Sequence, residues 1–165
     1  MDKINLHKAA KLTAPNPVTM VCTRKEDGAT NLATVSWWTY LSYHPNLIAF
    51  AMAKESYSGE RVRQSKEVIV TVPGAALAQA AMGCGSYSGR EMDKAAQYDI
   101  ALMPVEGSGI QIPVHSRLAM VCRLQEYHEA GDHYLYICQV DAVYGNAEEP
   151  ALFAWNGYTQ LRPVE

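Results

Sequence analysis

The 165-residue sequence has no surplus of positive charge, since 14 Lys and Arg stand against 17 Asp and Glu, which gives a net charge of −3. A nucleic-acid partner is therefore not expected. The chain also lacks an apolar run of the roughly 20 residues that a membrane-spanning helix needs. Residues 1–12 lack the apolar centre of a signal peptide. These absences, with a length close to the common domain size, predict one cytoplasmic domain over residues 1–165 and no membrane partner.

The four cysteines lie far apart, and no Cys-x-x-Cys pair is present. Their spacing argues against a zinc site and against a thioredoxin-type redox motif. Cys22, Cys122 and Cys138 each fall in an apolar, strand-like run, which predicts buried thiols in the core. Cys84 lies between two glycines, and we expect it in a tight turn without a function, with a reactive thiol as the alternative.

Three motifs of common catalytic or cofactor sites are missing. There is no Gly-x-Ser-x-Gly elbow of a serine hydrolase. Gly83-Cys84-Gly85 is not followed by the third glycine of a dinucleotide-binding fingerprint. No His, Asp and Glu cluster has the spacing of metal ligands, so no metal is expected. Any dinucleotide is therefore predicted to bind as a visiting substrate.

Strand signals recur along the chain and predict a mainly β fold. Gly28 and Pro45 lie in turn-forming segments between neighbouring strand candidates, so an antiparallel meander is the economical interpretation. The predicted strands cover residues 18–23, 33–41, 47–52, 67–72, 117–127 and 133–143.

Helical patterns are confined to residues 57–65, 74–82 and 93–98, and Ser56 is the expected N-cap of the first. Short helices between antiparallel strands favour a β-barrel with short helical excursions, because closure removes the free edges of a sheet. Residues 101–114, with two prolines and two glycines, are predicted to be the longest loop.

A polar strand at residues 31–38 is the first candidate binding segment. Asn31, Thr34 and Ser36 offer hydrogen-bond donors and acceptors beside Trp37. A core strand of this length would use more Ile, Leu and Val. The mixture favours a surface that holds a flat, hydrogen-bonding ring, although an amphipathic strand with one polar face is an alternative for this segment alone.

Two further segments are suited to bind an anion. In residues 54–59, Ser56 and Ser58 supply hydroxyls beside the free amides of a helix start. The alternative is that these serines only cap the helix. In residues 85–94, the chain supplies glycines, hydroxyls and cations that could surround an anion. The alternative is that this segment is a flexible surface loop with solvated charges. With the polar strand, these segments predict an extended ligand that has a flat heteroaromatic end and a phosphate end.

His133 is the histidine most suited to a binding site. It follows Gly131-Asp132 and starts a predicted strand, which would place the imidazole at the rim of the barrel. A surface histidine at a hairpin end fits the same pattern equally well.

The chain resembles the flavin reductase-like, FMN-binding split-barrel family, and most closely its flavoredoxin branch. The resemblance covers most of the chain and depends on the order and spacing of several short motifs. They are Pro17-Val18, Asn31-Leu32-Ala33-Thr34-Val35-Ser36-Trp37-Trp38, Leu41-Ser42-Tyr43-His44-Pro45, Ser56-Tyr57-Ser58, Ser88-Gly89-Arg90 with Asp93-Lys94, and Gly131-Asp132-His133.

The resemblance implies a split β-barrel that binds FMN non-covalently as a homodimer. It implies an NAD(P)H-dependent flavin reductase, with two alternatives: a flavoredoxin-type electron carrier that serves a redox protein partner, or a flavin-binding module without turnover. It assigns cofactor-binding roles around the isoalloxazine to Asn31, Thr34, Ser36 and Trp37, around the ribityl phosphate to Ser56, Ser58 and Lys94, and in the rest of the pocket to Ser88, Gly89 and His133.

Two features depart from the family pattern. Position 58 is Ser where the flavoredoxin pattern commonly has Thr, a change that retains the hydroxyl and removes a methyl group. The sequence given ends soon after residues 153–158, whereas relatives often use a later aromatic residue to cover the flavin. Trp155 and Tyr158 are the candidates for that role here.

Overall fold

The computed structural model describes residues 1–164, apart from the side chain of His7. The α-helices are α1 (Leu6–Leu12), α2 (Tyr57–Ser65), α3 (Ala78–Ser86) and α4 (Lys94–Gln97), and a 3₁₀ turn (Ala75–Leu77) precedes α3. The strands are β1 (Asn16–Pro17), β2 (Thr19–Arg24), β3 (Thr30–Val35), β4 (Trp38–Tyr43), β5 (Asn46–Ala53), β6 (Glu67–Pro73), β7 (Leu102–Met103), β8 (Ile112–Pro113), β9 (Ser116–Ala130), β10 (His133–Gly145), β11 (Ala151–Trp155) and β12 (Gln160–Val164).

The main sheet has seven antiparallel strands in the order β3-β2-β6-β9-β10-β5-β4. Its two edge strands, β3 and β4, are consecutive in the chain and are joined by only Ser36 and Trp37. Since each residue spans at most about 3.5 Å, this link keeps the two edges close together. The sheet therefore curls into a barrel that is split between β3 and β4, which confirms the predicted mainly β, split-barrel fold.

Both faces of the central strands are buried, which explains their nearly continuous apolar sequences. In β2, Val21 packs into one core cluster with Phe50 and Tyr136, whereas Met20 and Cys22 pack into a second cluster. The second cluster also contains residues of α3 and of the segment that follows α4. The helices between strands thus cover the outer face of the barrel beside the split.

The strand order corrects the predicted meander. Strand β6 lies between β2 and β9, and β5 pairs with β10, so several neighbours in the sheet are distant in sequence. The predicted strand at 33–41 is also wrong as one element, because the chain leaves one edge of the sheet at Ser36 and joins the opposite edge after Trp37. Alternation of side chains does not identify the partner of a strand, so the sequence pattern missed this crossover.

The cysteines are all free and buried. Cys22, Cys122 and Cys138 lie in strands of the core, as predicted. Cys84 lies inside α3 and not in a tight turn, so that prediction is wrong. The preceding Gly83 is a packing residue, because a Cβ there would overlap the ring of Tyr98. Within residues 1–164, no helix has the length and apolar character needed to cross a bilayer.

Candidate functional site

A cleft of about 500 Å³ opens at the split between β3 and β4. This volume is in the range of small-molecule and cofactor sites. The start of α2, the end of α3, the first residue of α4, the start of β10 and the β11–β12 hairpin supply the other walls. Eight of the ten residues predicted to bind a cofactor line it: Thr34, Ser36, Trp37, Ser56, Ser58, Ser88, Lys94 and His133.

Trp37 forms an aromatic wall at one end of the cleft. The residue is 53% exposed. The indole ring lies 4.9 Å from the ring of His133, centroid to centroid, at an interplanar angle of 33°. Its Nε1–H donates to the hydroxyl of Tyr158 at 3.2 Å. The backbone N–H of Ala51 donates to the carbonyl of Trp37 at 2.8 Å, which fixes the crossover residue in place.

His133 is oriented by the residue before it. It begins β10 and pairs with Ala53 on one side and Ala130 on the other. Its Nδ1 lies 2.7 Å from the Oδ1 atom of Asp132. Because one ring nitrogen is engaged by this carboxylate, Nε2 is the nitrogen available to a ligand. The imidazole thus combines a flat face beside Trp37 with one polar edge.

Thr34 and Ser36 lie between the aromatic wall and α3. The hydroxyl of Thr34 donates to the carbonyl of Ala81 at 2.5 Å and ties the edge of β3 to the helix. Since its only proton is used by the protein, the oxygen of Thr34 can serve a ligand only as an acceptor. Ser36 is half-buried on the same wall.

The first turn of α2, a nine-residue helix, lines another part of the cleft and is called its anion end below. Ser56 is its N-cap, as predicted, and its Oγ accepts from the N–H of Gly59 at 3.2 Å. Ser58 follows in the first turn and is only 3% exposed. The first amides of a helix have no carbonyl partner within it, and the helix dipole favours negative charge there. This end is therefore suited to an anion.

Lys94 supplies a buried positive charge to the same cleft. It is the first residue of α4 and is only 4% exposed. Its Nζ donates to the carbonyl of Cys84 at 2.8 Å, so two of the three ammonium protons are left for a ligand. Burial lowers the pKa of Lys94, whereas Cys84 acts in the opposite direction. A bound anion would replace the water that burial removes.

Cys84 lines the cleft, but it is unsuited to act as a nucleophile. Burial raises the pKa of its thiol to about 11, although Lys94 acts to lower it. Thiolates, and not thiols, are the reactive form. At neutral pH the sulfur is therefore a small apolar part of the wall.

Asn31 and Gly89, the other two predicted residues, lie behind the wall. Asn31 is only 3% exposed, and its Nδ2 donates to the Oγ of Ser58 at 2.8 Å and to the Oγ1 of Thr23 at 3.0 Å. Gly89 packs against the amide of Asn31, where a Cβ would overlap Oδ1. Asn31 contacts the cleft-lining Ser58, and Gly89 contacts Asn31, so neither residue lines the cleft itself. Their assignment to cofactor binding stays a prediction.

Arg90, the second cation of the predicted anion segment, does not line the cleft. It is exposed, pairs with Glu60 of α2 and lies over the ring of Tyr57 at 5.0 Å. Arg90 therefore holds the loop before α4 against α2, and Lys94 is the cation that faces the candidate site.

The sequence prediction missed the wall supplied by the β11–β12 hairpin. Tyr158 reaches the cleft from the turn of this hairpin, where Asn156 and Gly157 both have positive φ angles, of 50° and 66°. An Asn-Gly pair between short strands is a strong hairpin signal and could have identified this element. Of the two aromatic residues considered as covers for the site, Tyr158 lines the cleft and Trp155 does not.

Residues 12–162 match a protein family described as "Flavin reductase like domain". Over 145 residues the chain is 28% identical to a flavin reductase of Pseudomonas putida, a match that covers 87% of this chain and 81% of the relative. It is 26% identical over 112 residues to an uncharacterised protein of Archaeoglobus fulgidus. That match covers 67% of this chain and 62% of the relative, so the chain spans less than two thirds of that protein.

Solved structures share the same fold over nearly the whole chain. A flavoredoxin of Methanosarcina acetivorans has a TM-score of 0.84 at 19% identity, with 100% of this chain and 91% of that chain covered. An FMN-binding protein of Thermus thermophilus has a TM-score of 0.83 at 23% identity, with 100% and 95% covered. The NADH:FAD oxidoreductase SgcE6 of Streptomyces globisporus has a TM-score of 0.84 at 17% identity, with 100% and 98% covered.

Proposed function

The chain belongs to the flavin reductase-like domain family, and from that premise we propose that it binds FMN non-covalently and reduces it with NADH or NADPH. One observation carries the proposal: a single cleft joins an exposed aromatic wall at Trp37 to a buried cation and helix start at Lys94 and α2. That arrangement matches the two chemically different ends of a flavin nucleotide. We propose that residues 1–165 act as one domain of this kind.

The donor set fits the phosphate of FMN. A phosphate dianion binds best to amides, hydroxyls and a cation, and the cleft supplies the first turn of α2, Ser58 and Lys94 for it. Ser56 and Ser88 line the same region, but their oxygens already accept from backbone N–H groups of Gly59 and Arg90. The hydroxyl proton of Ser88 can still donate to a ligand, whereas the hydroxyl of Ser56 donates to the sulfur of Met52 at 3.9 Å.

The ring end fits an isoalloxazine in the same way. Trp37 and His133 provide flat faces, and Thr34 provides an acceptor for a ring N–H. The first ring contact would be to the exposed indole, so the orientation of Trp37 sets how deeply the ring enters. Tyr158 holds that orientation through its hydrogen bond to the indole Nε1.

Burial at the anion end supports FMN over FAD. Ser58 and Lys94 are almost inaccessible, at 3% and 4% exposed, which is suited to a terminal phosphate that ends within the cleft. In FAD that phosphate is joined to adenosine monophosphate, which would have to leave the cleft beyond these buried groups. The Thermus relative is described as FMN-binding and the Streptomyces relative as acting on FAD, so direct comparison of the two flavins is needed.

A bound flavin would supply the redox chemistry, as an acceptor of hydride from the nicotinamide. The protein's part is to hold the two rings in contact and to exclude water from between them. Trp37 and His133 wall the ring, and Lys94 compensates the charge of the phosphate. We assign no side chain as general acid or nucleophile.

We further propose a homodimer. Tyr40 of β4 is 54% exposed and Leu41 is 47% exposed, beside Trp38, whose indole nitrogen is buried without a partner among the described residues. Met103 adds apolar surface from the 101–114 segment, where it is 46% exposed. Light scattering should give twice the 18.2 kDa mass of one chain; a single-chain mass over the micromolar range would contradict the dimer.

The expected cytoplasmic location stays a prediction.

Absorbance spectroscopy tests the function. The protein should bind FMN at one per chain, more tightly than FAD, and anaerobic NADH or NADPH should bleach the bound flavin. Bleaching by one nucleotide also identifies the donor. Bound FMN that resists both nucleotides but passes electrons from dithionite to a redox protein would instead establish the flavoredoxin-type carrier, and bound FMN inert in both assays a module without turnover. No binding of either flavin would overturn the assignment.

A further inference from the structure

The side-chain amide of Asn31 has an unusual pattern of hydrogen bonds. Both of its N–H groups donate to hydroxyl oxygens, those of Ser58 at 2.8 Å and Thr23 at 3.0 Å. Its carbonyl oxygen is buried and has no partner among residues 1–164. Buried polar atoms without a partner are rare in proteins and cost stability. The amide is therefore held in a position that uses its donors and leaves its acceptor unsatisfied.

This pattern determines what the hydroxyl of Ser58 can do. A serine hydroxyl has one proton and two lone pairs, and Asn31 occupies one lone pair. Within the described chain no acceptor lies in hydrogen-bond range of the Ser58 proton. Ser58 lines the cleft in the first turn of α2. The proton is thus available to a ligand that accepts hydrogen bonds, such as an oxyanion.

Gly89 fixes the amide from the other side. It is buried against Asn31, and a Cβ at position 89 would fall on the Oδ1 atom. The same Cβ would lie 3.3 Å from the ring of Tyr57. The absence of a side chain at this position therefore lets the loop before α4 pack closely over Asn31 without turning its amide.

We propose that Asn31 is a positioning residue for phosphate recognition, which acts by holding Ser58 as a hydrogen-bond donor toward the cleft. The family resemblance implies that Asn31 and Gly89 bind the cofactor themselves. In the structure they form a layer behind Ser58. The inference rests on the proposed function to the extent that the anion is the phosphate of FMN.

The test compares FMN with riboflavin, which has the same ring and ribityl chain but no phosphate. For each variant, fluorescence titration gives the ratio of the riboflavin dissociation constant to the FMN dissociation constant. Ser58→Ala should lower this ratio roughly 10-fold or more, the usual effect of one hydrogen bond to a charged group. Asn31→Ala should lower it several-fold with no change at the cleft wall itself.

A double-mutant cycle shows whether Asn31 acts through Ser58. If it does, the double variant Asn31→Ala/Ser58→Ala should have the ratio of Ser58→Ala alone. Thr23→Val is the matched control, because it removes the other hydrogen bond of the same amide and leaves Ser58 bonded. It should lower the midpoint of thermal unfolding but retain the wild-type ratio. Ser58→Thr, which retains the hydroxyl, should also retain most of the ratio.

Gly89→Ala provides a second variant in case Asn31→Ala does not fold. Its added Cβ displaces the amide of Asn31, so the ratio should fall as it does for Asn31→Ala. Circular dichroism of each variant shows whether it is folded. Equal ratios for Asn31→Ala, Gly89→Ala and wild type would overturn the positioning role while the flavin function stands. Additive losses in the cycle would overturn it as well. Failure of the wild-type protein to bind either flavin would overturn the proposed function instead.

Discussion

At the scale of single residues, Lys94 is proposed to bind the phosphate although its burial destabilises the fold. It is 4% exposed and holds its ammonium with one carbonyl, that of Cys84. Lys94→Ala should weaken FMN binding by about 1.5–3 kcal/mol, the usual value of a hydrogen bond to a charged group. Titration of FMN and riboflavin measures the loss, which should be confined to FMN. Lys66→Ala, at the far end of α2, is the control and should bind FMN like wild type. Equal FMN affinity in Lys94→Ala would remove this residue from the site.

The same residue predicts a pH dependence. Burial lowers the pKa of Lys94 below its ordinary value of 10.5. The folded state therefore holds its proton less firmly than the unfolded state, so Lys94 lowers stability while it is charged. Its unfavourable effect fades as the pH rises from the folded pKa toward 10.5. The preference for FMN over riboflavin should fall over the same alkaline window. A preference that stays constant to pH 10.5 would contradict this assignment.

Substitution of Trp37 tests whether this aromatic residue serves the ligand or the core. Because its ring is already 53% exposed, Trp37→Ala should lower the free energy of unfolding by no more than about 1–2 kcal/mol, below the 3–5 kcal/mol typical of buried aromatic residues. It should change the absorbance of bound FMN, since a ring wall is lost. Phe50→Ala, at a site 1% exposed, is the destabilising control. A loss of stability as large as that control would return Trp37 to the core.

The elements of the fold differ in how far local sequence determines them. The sequence alone predicted α2 with its Ser56 cap and the bounds of most long strands to within a few residues, because caps and apolar patterns are local signals. It did not predict α1, a seven-residue helix, or the β11–β12 hairpin, each of which has little apolar pattern of its own. Strand order was missed because nothing in β6 indicates that it lies between β2 and β9.

The residues of the candidate site also differ in how far the sequence alone identifies them. The predicted residues that line the cleft stood out in the sequence because hydroxyls and a lysine stand where core residues would otherwise be. Their depth was not identifiable: Asn31 and Ser58 have similar exposure, yet only Ser58 lines the cleft. Tyr158 lies more than a hundred positions from Trp37 and meets it only through the tertiary fold.

Helix α2 gives a prediction that distinguishes folding from binding. Ser56→Asp retains a good N-cap, so the free energy of unfolding should change by less than about 0.5 kcal/mol. The new negative charge should repel the phosphate and weaken FMN binding roughly 10-fold or more, with less effect on riboflavin. Ser56→Ala is the reciprocal variant: it should lower stability by about 1 kcal/mol through loss of the cap. Urea unfolding and flavin titration measure the two effects. FMN binding by Ser56→Asp at wild-type strength would place the phosphate elsewhere.

For the whole molecule, ligand binding and stability are linked. The cleft is assembled from β3, α2, α3, α4, β10 and the β11–β12 hairpin, so a ligand bound there contacts elements that are distant in sequence and favours the folded state over the unfolded one. FMN at 100 times its dissociation constant should add about 2.7 kcal/mol to the free energy of unfolding. For a chain of this size, that gain raises the midpoint of thermal unfolding by about 5–11 °C.

Riboflavin at the same concentration should raise it less, because Lys94 and the start of α2 gain no anion. Differential scanning fluorimetry at several flavin concentrations measures both shifts, with detection by intrinsic fluorescence because flavin absorbs in the visible range. Equal shifts with the two flavins would show that the buried cation end of the cleft does not receive the phosphate.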